Sequence, residues 1–131
     1  MREIKFRTWD NVKNKMHYVG EETEIVFHFD SSGIIATDIT EDEDEFKTLH
    51  HLLYMQYSGI KDKNGVGIYE GDVLDYRYVV TYVEGSDNAN LGMDVGFYQQ
   101  RDNFESWVML VVGEEYEVLG NIYENPDLIK R

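Results

Sequence analysis

The sequence contains no cysteine. Disulfides, thiolate metal sites and thiol nucleophiles are therefore excluded, in agreement with a reducing compartment. No Pro-rich or Ser-rich stretch marks a linker, and no Asn-x-Ser/Thr glycosylation acceptor occurs. No run approaches the roughly 18 apolar residues of a membrane span, and the opening MREIKFRTWD lacks the uninterrupted apolar core of an export signal. The expectation is a cytoplasmic protein with no membrane association. Basic side chains are scarce as well, 12 against 26 acidic ones, for a formal net charge of −14. Five of the bases (Arg2, Lys5, Arg7, Lys13, Lys15) fall in the first 20 residues, whereas residues 21–60 hold ten acids and only Lys47. Nucleic-acid affinity is dominated by cations that neutralise phosphates, so this chain should be repelled by DNA and RNA except through its amino-terminal patch.

What is present suits a folded β-rich chain. Its 131 residues are 42 % apolar and 14 % aromatic, enough for a core. Ile4 and Phe6 alternate with Lys5 and Arg7, the period of a strand with one face buried, and Met16–Val19 can pair back on it after a polar turn. Ile25–Phe29 and Ile34–Ile39, separated by Asp-Ser-Ser-Gly, read as a second hairpin. A short helix is predicted near 41–53: Thr40 and Glu43 form a capping box, acids fill the first turn, and Phe46, Leu49, Leu52 and Leu53 recur on one face.

Beyond Gly59 the pattern changes to strands and turns. Asn64-Gly65 is a favoured hairpin turn, Asp72–Val83 supplies one long or two short strands, and Gly85–Gly92 reads as a loop. Met93–Gln100, Ser106–Val112 and Tyr116–Leu119 are further strands, the last two read as a hairpin. The change of pattern divides the chain into a β-hairpin region with a short helix, 1–54, and a barrel-like region, 55–131.

Three blocks carry a family resemblance: MREIKFRTWD with Met16 after it, MQYSGIKDKNGVGIYEGDVL at Met55–Leu74, and EVLGNIYENPDL at Glu117–Leu128. In this order and at both ends of the chain they resemble the YopX-like phage proteins. Departures are mild: Ser58 and Ile60 stand where Thr and Leu are usual, and Val66-Gly67 where a charged pair is usual. The resemblance implies a mainly β protein with a carboxy-terminal SH3-like β-barrel, encoded by a phage or prophage and acting in a bacterial host cell. It supplies no catalytic residues. Within the second block, Asn64, Gly65, Gly71 and Asp72 are expected to be turn residues, with Gly71 allowing a sharp bend and Asp72 bonding nearby backbone.

Candidate chemical sites each meet a plainer explanation. Asp62, Asn64, Gly67 and Asp72 look superficially like a calcium loop. With Asp62 at position one, however, Val66 stands at position five and Val73 at twelve, where oxygen ligands are required. His50 and His51 are adjacent, which on a helix points them about 100° apart, and His17 and His28 lie in no metal motif. No nucleophile elbow, P-loop or dinucleotide fingerprint occurs, since Gly65, Gly67 and Gly71 have the wrong spacing. No cofactor or metal is expected. Tyr54, Tyr57, Tyr69, Tyr76 and Tyr78 make a candidate aromatic face, though packing is the commoner use of Tyr in a small barrel.

These observations favour a non-catalytic protein-interaction or self-assembling module. Its candidate interaction surface is Arg2, Lys5, Arg7, Tyr57, Tyr69, Tyr76 and Tyr78, and its partner is a protein, including a second copy of the chain. Two other readings make different demands. An acidic mimic of nucleic acid would occupy a host DNA-binding protein, and an enzyme with a carboxylate-based site would need strongly perturbed carboxylates converging on a cleft.

Overall fold

The computed structural model describes residues 5–21, 25–31, 33–39, 47–83, 96–101 and 106–129. They form twelve short strands and two short 3-10 segments, and divide into two compact units: residues 5–54, and the chain from Met55 onward. The fold is mainly β. No described helix is long and apolar enough to cross a membrane.

In the first unit, β1 (Phe6–Asp10) and β2 (Lys15–Tyr18) form an antiparallel hairpin in which Asp10 faces Lys15. The turn is held by Asp10, whose Oδ1 accepts the N–H groups of Val12 and Lys13, each at 3.0 Å. The same oxygen lies 2.9 Å from His51 Nε2, and Oδ2 lies 3.7 Å from His17 Nε2. Sequence alternation placed Arg7 on the outside of β1, but this strand is covered on both faces and Arg7 is only 3 % exposed. β3 (Ile25–Asp30), β4 (Gly33–Asp38) and β5 (Lys47–Leu49) form a three-stranded antiparallel sheet. Ile25, Ala36 and Leu52 make its small core, with Phe27, Leu49 and Tyr54 against it.

The helix predicted near 41–53 is corrected at its described end. Lys47–Leu49 is a strand paired with β4, and Leu53 begins another strand. Leu49 and Leu52 do share one apolar cluster, as their spacing requires, but a strand followed by a bend brings them there. The capping box and acidic run at Thr40–Phe46 lie outside the described residues, as does the loop expected at Gly85–Gly92.

β6 (Leu53–Lys61), which from Met55 belongs to the second unit, forms a hairpin with β7 (Gly67–Tyr69), Tyr57 opposite Tyr69. A five-stranded antiparallel sheet is built from β8 (Asp72–Leu74), β9 (Val79–Val83), β10 (Gly96–Arg101), β11 (Ser106–Met109) and β12 (Val118–Asn121), in the order β11-β10-β9-β8-β12. A meander of four strands whose fifth returns beside the first is the strand order of an SH3-like barrel. The hairpin expected between Ser106–Val112 and Tyr116–Leu119 is not formed, since β11 pairs with β10 and β12 pairs with β8. Two hydrogen bonds hold the returning chain: Asp75 N–H, just after β8, donates to the Glu117 carbonyl, and Val118 N–H donates to Asp62 Oδ2, just after β6. Ile68, Leu74, Val80, Phe97, Leu110 and Tyr116 form the core.

The turns of this unit are built on buried polar side chains. Asp62 Oδ1 accepts the N–H groups of Asn64 and Val66 at 2.9 Å while Oδ2 reaches Val118, so one carboxylate ties the Asn64-Gly65 turn to β12. Gly65 has φ +82°, which that turn demands of it. Asp72 Oδ2 accepts Tyr69 N–H at 2.8 Å and closes the sharp bend at Gly71, where φ is +84°. Asn121 Oδ1 accepts from Tyr123 and Glu124, and Asn125 Oδ1 accepts from Asn121. The second and third resemblance blocks thus contain the residues that fix the turns of this scaffold.

Burial by itself raises the pKa of Asp62, but the N–H groups of Val118, Val66 and Asn64, with Lys63 alongside, outweigh it and hold the carboxyl below the ordinary 3.8. Asp10 shows the same balance: burial raises its pKa, and Lys13 N–H, Val12 N–H and His51 together bring it below 3.8. Both groups take up protons more readily in the unfolded chain, so their stabilising contribution is present above the unfolded pKa and is lost as pH falls through the lower, folded value. The thermal midpoint should therefore drop as pH falls below about 4. Asp62→Asn, measured by the same melting series, should flatten that slope; an unchanged slope would count against the assignment.

Candidate functional site

The second unit carries an open groove of about 470 Å³, within the usual range of ligand clefts, about 300 to 1,000 Å³. Its walls come from the β8–β9 connection (Asp75, Tyr76, Tyr78), from β10 and β11 (Gln99, Val108) and from the turn before β12 (Gly113, Glu114, Glu115, Tyr116). Four separate stretches of chain therefore converge. The floor is firm, because Tyr116 is buried and its hydroxyl accepts the Val111 N–H at 3.0 Å.

The β8–β9 connection has the least ordinary backbone in the groove. Tyr76 and Arg77 both adopt left-handed conformations, with φ of +63° and +65°. For residues with a Cβ this costs roughly 1 to 2 kcal/mol each. The bend is fixed by Leu74 N–H donating to the Tyr78 carbonyl at 2.7 Å and by Arg101 Nη1 donating to the Tyr76 carbonyl at 3.3 Å. The Arg101 guanidinium also lies 5.1 Å from the centre of the Tyr78 ring, a cation–π arrangement. The consequence is an aromatic side chain held out in water, since Tyr76 is 76 % exposed. Such strain is found where the surrounding structure imposes it, and it concentrates at binding and catalytic sites.

The charge of the groove is of one sign. Asp75, Glu114 and Glu115 line it, and among the described residues no Lys or Arg does, although Arg101 stands at its rim against Tyr76 and Tyr78. Its apolar elements are the rings of Tyr76, Tyr78 and Tyr116, and Val108, which is exposed together with its neighbours Met109, Val111 and Val112. Negative charge beside aromatic faces suits a Lys or Arg side chain, whose apolar stem packs on a ring while its head meets carboxylate.

The candidate surface read from the sequence is divided by the fold. Tyr57 and Tyr69 are buried and pack against each other with ring centres 5.3 Å apart, as cross-strand neighbours of β6 and β7. Tyr76 and Tyr78 line the groove, and Tyr54 is half-buried against the core of the first unit. Lys5 is exposed, Arg7 is buried, and Arg2 lies outside the described residues. Sequence reasoning missed Glu114, Glu115 and Val108. The local signal for the two acids was Gly113-Glu114-Glu115, an acidic turn read as a separator between strands, and Val108 was read only as part of the strand Ser106–Val112.

Other titratable clusters among the described residues serve structure. The Asp10 carboxylate is engaged by its own turn and by His51, and Asp62 by three backbone donors. No group of three His, Asp or Glu able to hold a metal ion occurs among the described residues.

Comparison with known proteins gives a family and a fold. A family model described as YopX protein matches residues 5–130. The crystal structure of protein EF1440 from Enterococcus faecalis is similar to this chain with a TM-score of 0.51 at 22 % sequence identity, covering 99 % of this chain and 100 % of that one. At that identity the likeness speaks for the fold alone. No curated protein matches.

Proposed function

The chain belongs to the YopX family, and we propose that it acts by binding, its SH3-like unit taking a protein segment that carries Lys or Arg into the groove at Tyr76 and Tyr78. One observation carries this reading: a strained, solvent-exposed Tyr76 is held beside Asp75, Glu114 and Glu115 in a groove lined by no base among the described residues. Among the described residues the carboxylates with lowered pKa values, Asp10 and Asp62, do not line the groove and are occupied by backbone donors, which favours recognition over acid–base chemistry.

A fluorescently labelled peptide in which Lys and Arg alternate with apolar residues is the appropriate probe. Its anisotropy should rise on titration with the protein at low salt and the affinity should weaken as salt screens the groove. Glu115→Lys should reduce affinity about tenfold or more, whereas Glu21→Lys, the same change of charge on the exposed surface of the first unit, should not. Tyr76→Gly separates binding from folding. Glycine relieves the left-handed backbone, so this variant should melt no lower than the parent while losing most of its peptide affinity. Equal effects of Glu115→Lys and Glu21→Lys would reduce the interaction to net charge and remove the groove from it.

A further inference from the structure

We infer that the natural occupant of the groove is the β1–β2 hairpin tip of a second copy of this chain, so that the protein assembles with itself tip into groove. The inference rests on the groove reading above and identifies its partner. The tip, Asn11–Asn14 with Lys15 at the start of β2, presents Val12, 70 % exposed, with Lys13 and Lys15 exposed beside it. An isolated apolar side chain flanked by two cations is the complement of Tyr and Val surfaces flanked by three carboxylates. It is also scarce chemistry in this molecule, where acids outnumber bases 26 to 12.

The tip is built to be presented. Asp10 Oδ1 holds the N–H groups of Val12 and Lys13, and Asn14 takes a left-handed conformation with φ +54°, so the turn has a fixed shape before it meets anything. Groups already ordered lose less conformational entropy on association, which favours a small contact. The groove is fixed likewise, by Tyr116 beneath it and by the Arg101 hydrogen bond to Tyr76 at its rim. Each copy carries one tip and one groove. The contact joins two different surfaces, so it either runs head to tail into a chain or ring, or is made twice, reciprocally, in a two-fold dimer.

The test is a charge swap followed by sedimentation velocity, with circular dichroism to establish that each variant is folded. The parent chain should associate at low salt with a dissociation constant of about 10 to 100 μM, as befits a small contact between charged surfaces, and should dissociate at high salt. Lys13→Glu with Lys15→Glu reverses the tip, and Glu114→Lys with Glu115→Lys reverses the groove. Either pair alone should abolish association. An equimolar mixture of the two variants, in which each tip meets a groove of opposite sign, should restore it, as should all four changes in one chain. Association that survives either reversal, or a mixture that stays monomeric, overturns the inference. A parent that is monomeric at every salt concentration but still binds the basic peptide also overturns it, leaving the groove to a foreign basic segment. A parent that neither associates nor binds the peptide overturns the groove reading with it.

Discussion

Replacing Asp62 by alanine should lower the thermal midpoint by about 8 to 15 °C, from a loss of about 2 to 4 kcal/mol. The carboxylate is 7 % exposed and receives three backbone N–H groups, from Asn64, Val66 and Val118. Alanine leaves those donors facing a gap. Water can reach the turn at Asn64 and Val66, both exposed, so the larger penalty falls at Val118 on β12. A buried donor without an acceptor costs about 1 to 3 kcal/mol, and Val118 is the first residue of β12, opposite Leu74 of β8. Asp62→Asn should fall between alanine and the parent, because an amide offers one acceptor oxygen where the carboxylate offers two. Lys63→Ala provides the contrast. Lys63 is half exposed and 3.4 Å from Glu117, a surface pair worth about 0 to 1 kcal/mol. Thermal melts of the three variants decide, and equal shifts for Asp62→Ala and Lys63→Ala would refute the role given to Asp62.

Gly120→Ala should destabilise the second unit by about 2 to 4 kcal/mol, a large cost for a single methyl group. A Cβ built on Gly120 falls on the side-chain amide of Asn125 and lies 2.9 Å from Leu128 Cδ1. The Asn125 amide cannot simply retreat, since its Oδ1 accepts the Asn121 N–H at 3.1 Å and its own N–H donates to the Asn121 carbonyl. The clash therefore breaks a turn as well as crowding a contact. Combining Gly120→Ala with Asn125→Gly removes the obstructing side chain at the cost of one acceptor. The double variant should melt above Gly120→Ala alone, a non-additivity expected of residues in contact. Additive losses would show that the two residues do not compete for the same space.

The hairpins were legible because each is a local matter. Alternation in Ile25–Phe29 and Ile34–Ile39, and the turn pair Asn64-Gly65, specify pairing between neighbours in sequence. Gly71 and Asp72 were legible for the same reason, since the hydrogen bond from Tyr69 to Asp72 spans three residues. The helix near 41–53 misled because apolar residues three apart satisfy either a helix or a strand with a bend. Pairing of Lys47–Leu49 with β4 decided the matter. Pairing of β12 with β8 was illegible. It joins residues far apart in the chain, Leu74 with Val118 and Asp72 with Asn121, and the tight turn around Gly113 offered a closer partner that the fold does not use. The aromatic face was divided for a similar reason. Tyr57 and Tyr69 turn inward as a cross-strand pair, while the left-handed backbone at Tyr76 turns its ring outward, and no propensity of Tyr foretells a positive φ.

The bond between Asp62 and Val118 joins positions 56 residues apart. A ribosome adding 5 to 20 residues per second needs roughly 3 to 11 seconds to cover that distance. For those seconds the Asp62 carboxylate lacks its Val118 donor, and β8, once made, lacks its β12 partner. Newly made copies crowded along one messenger would then be most prone to cross-pair through that unclaimed edge.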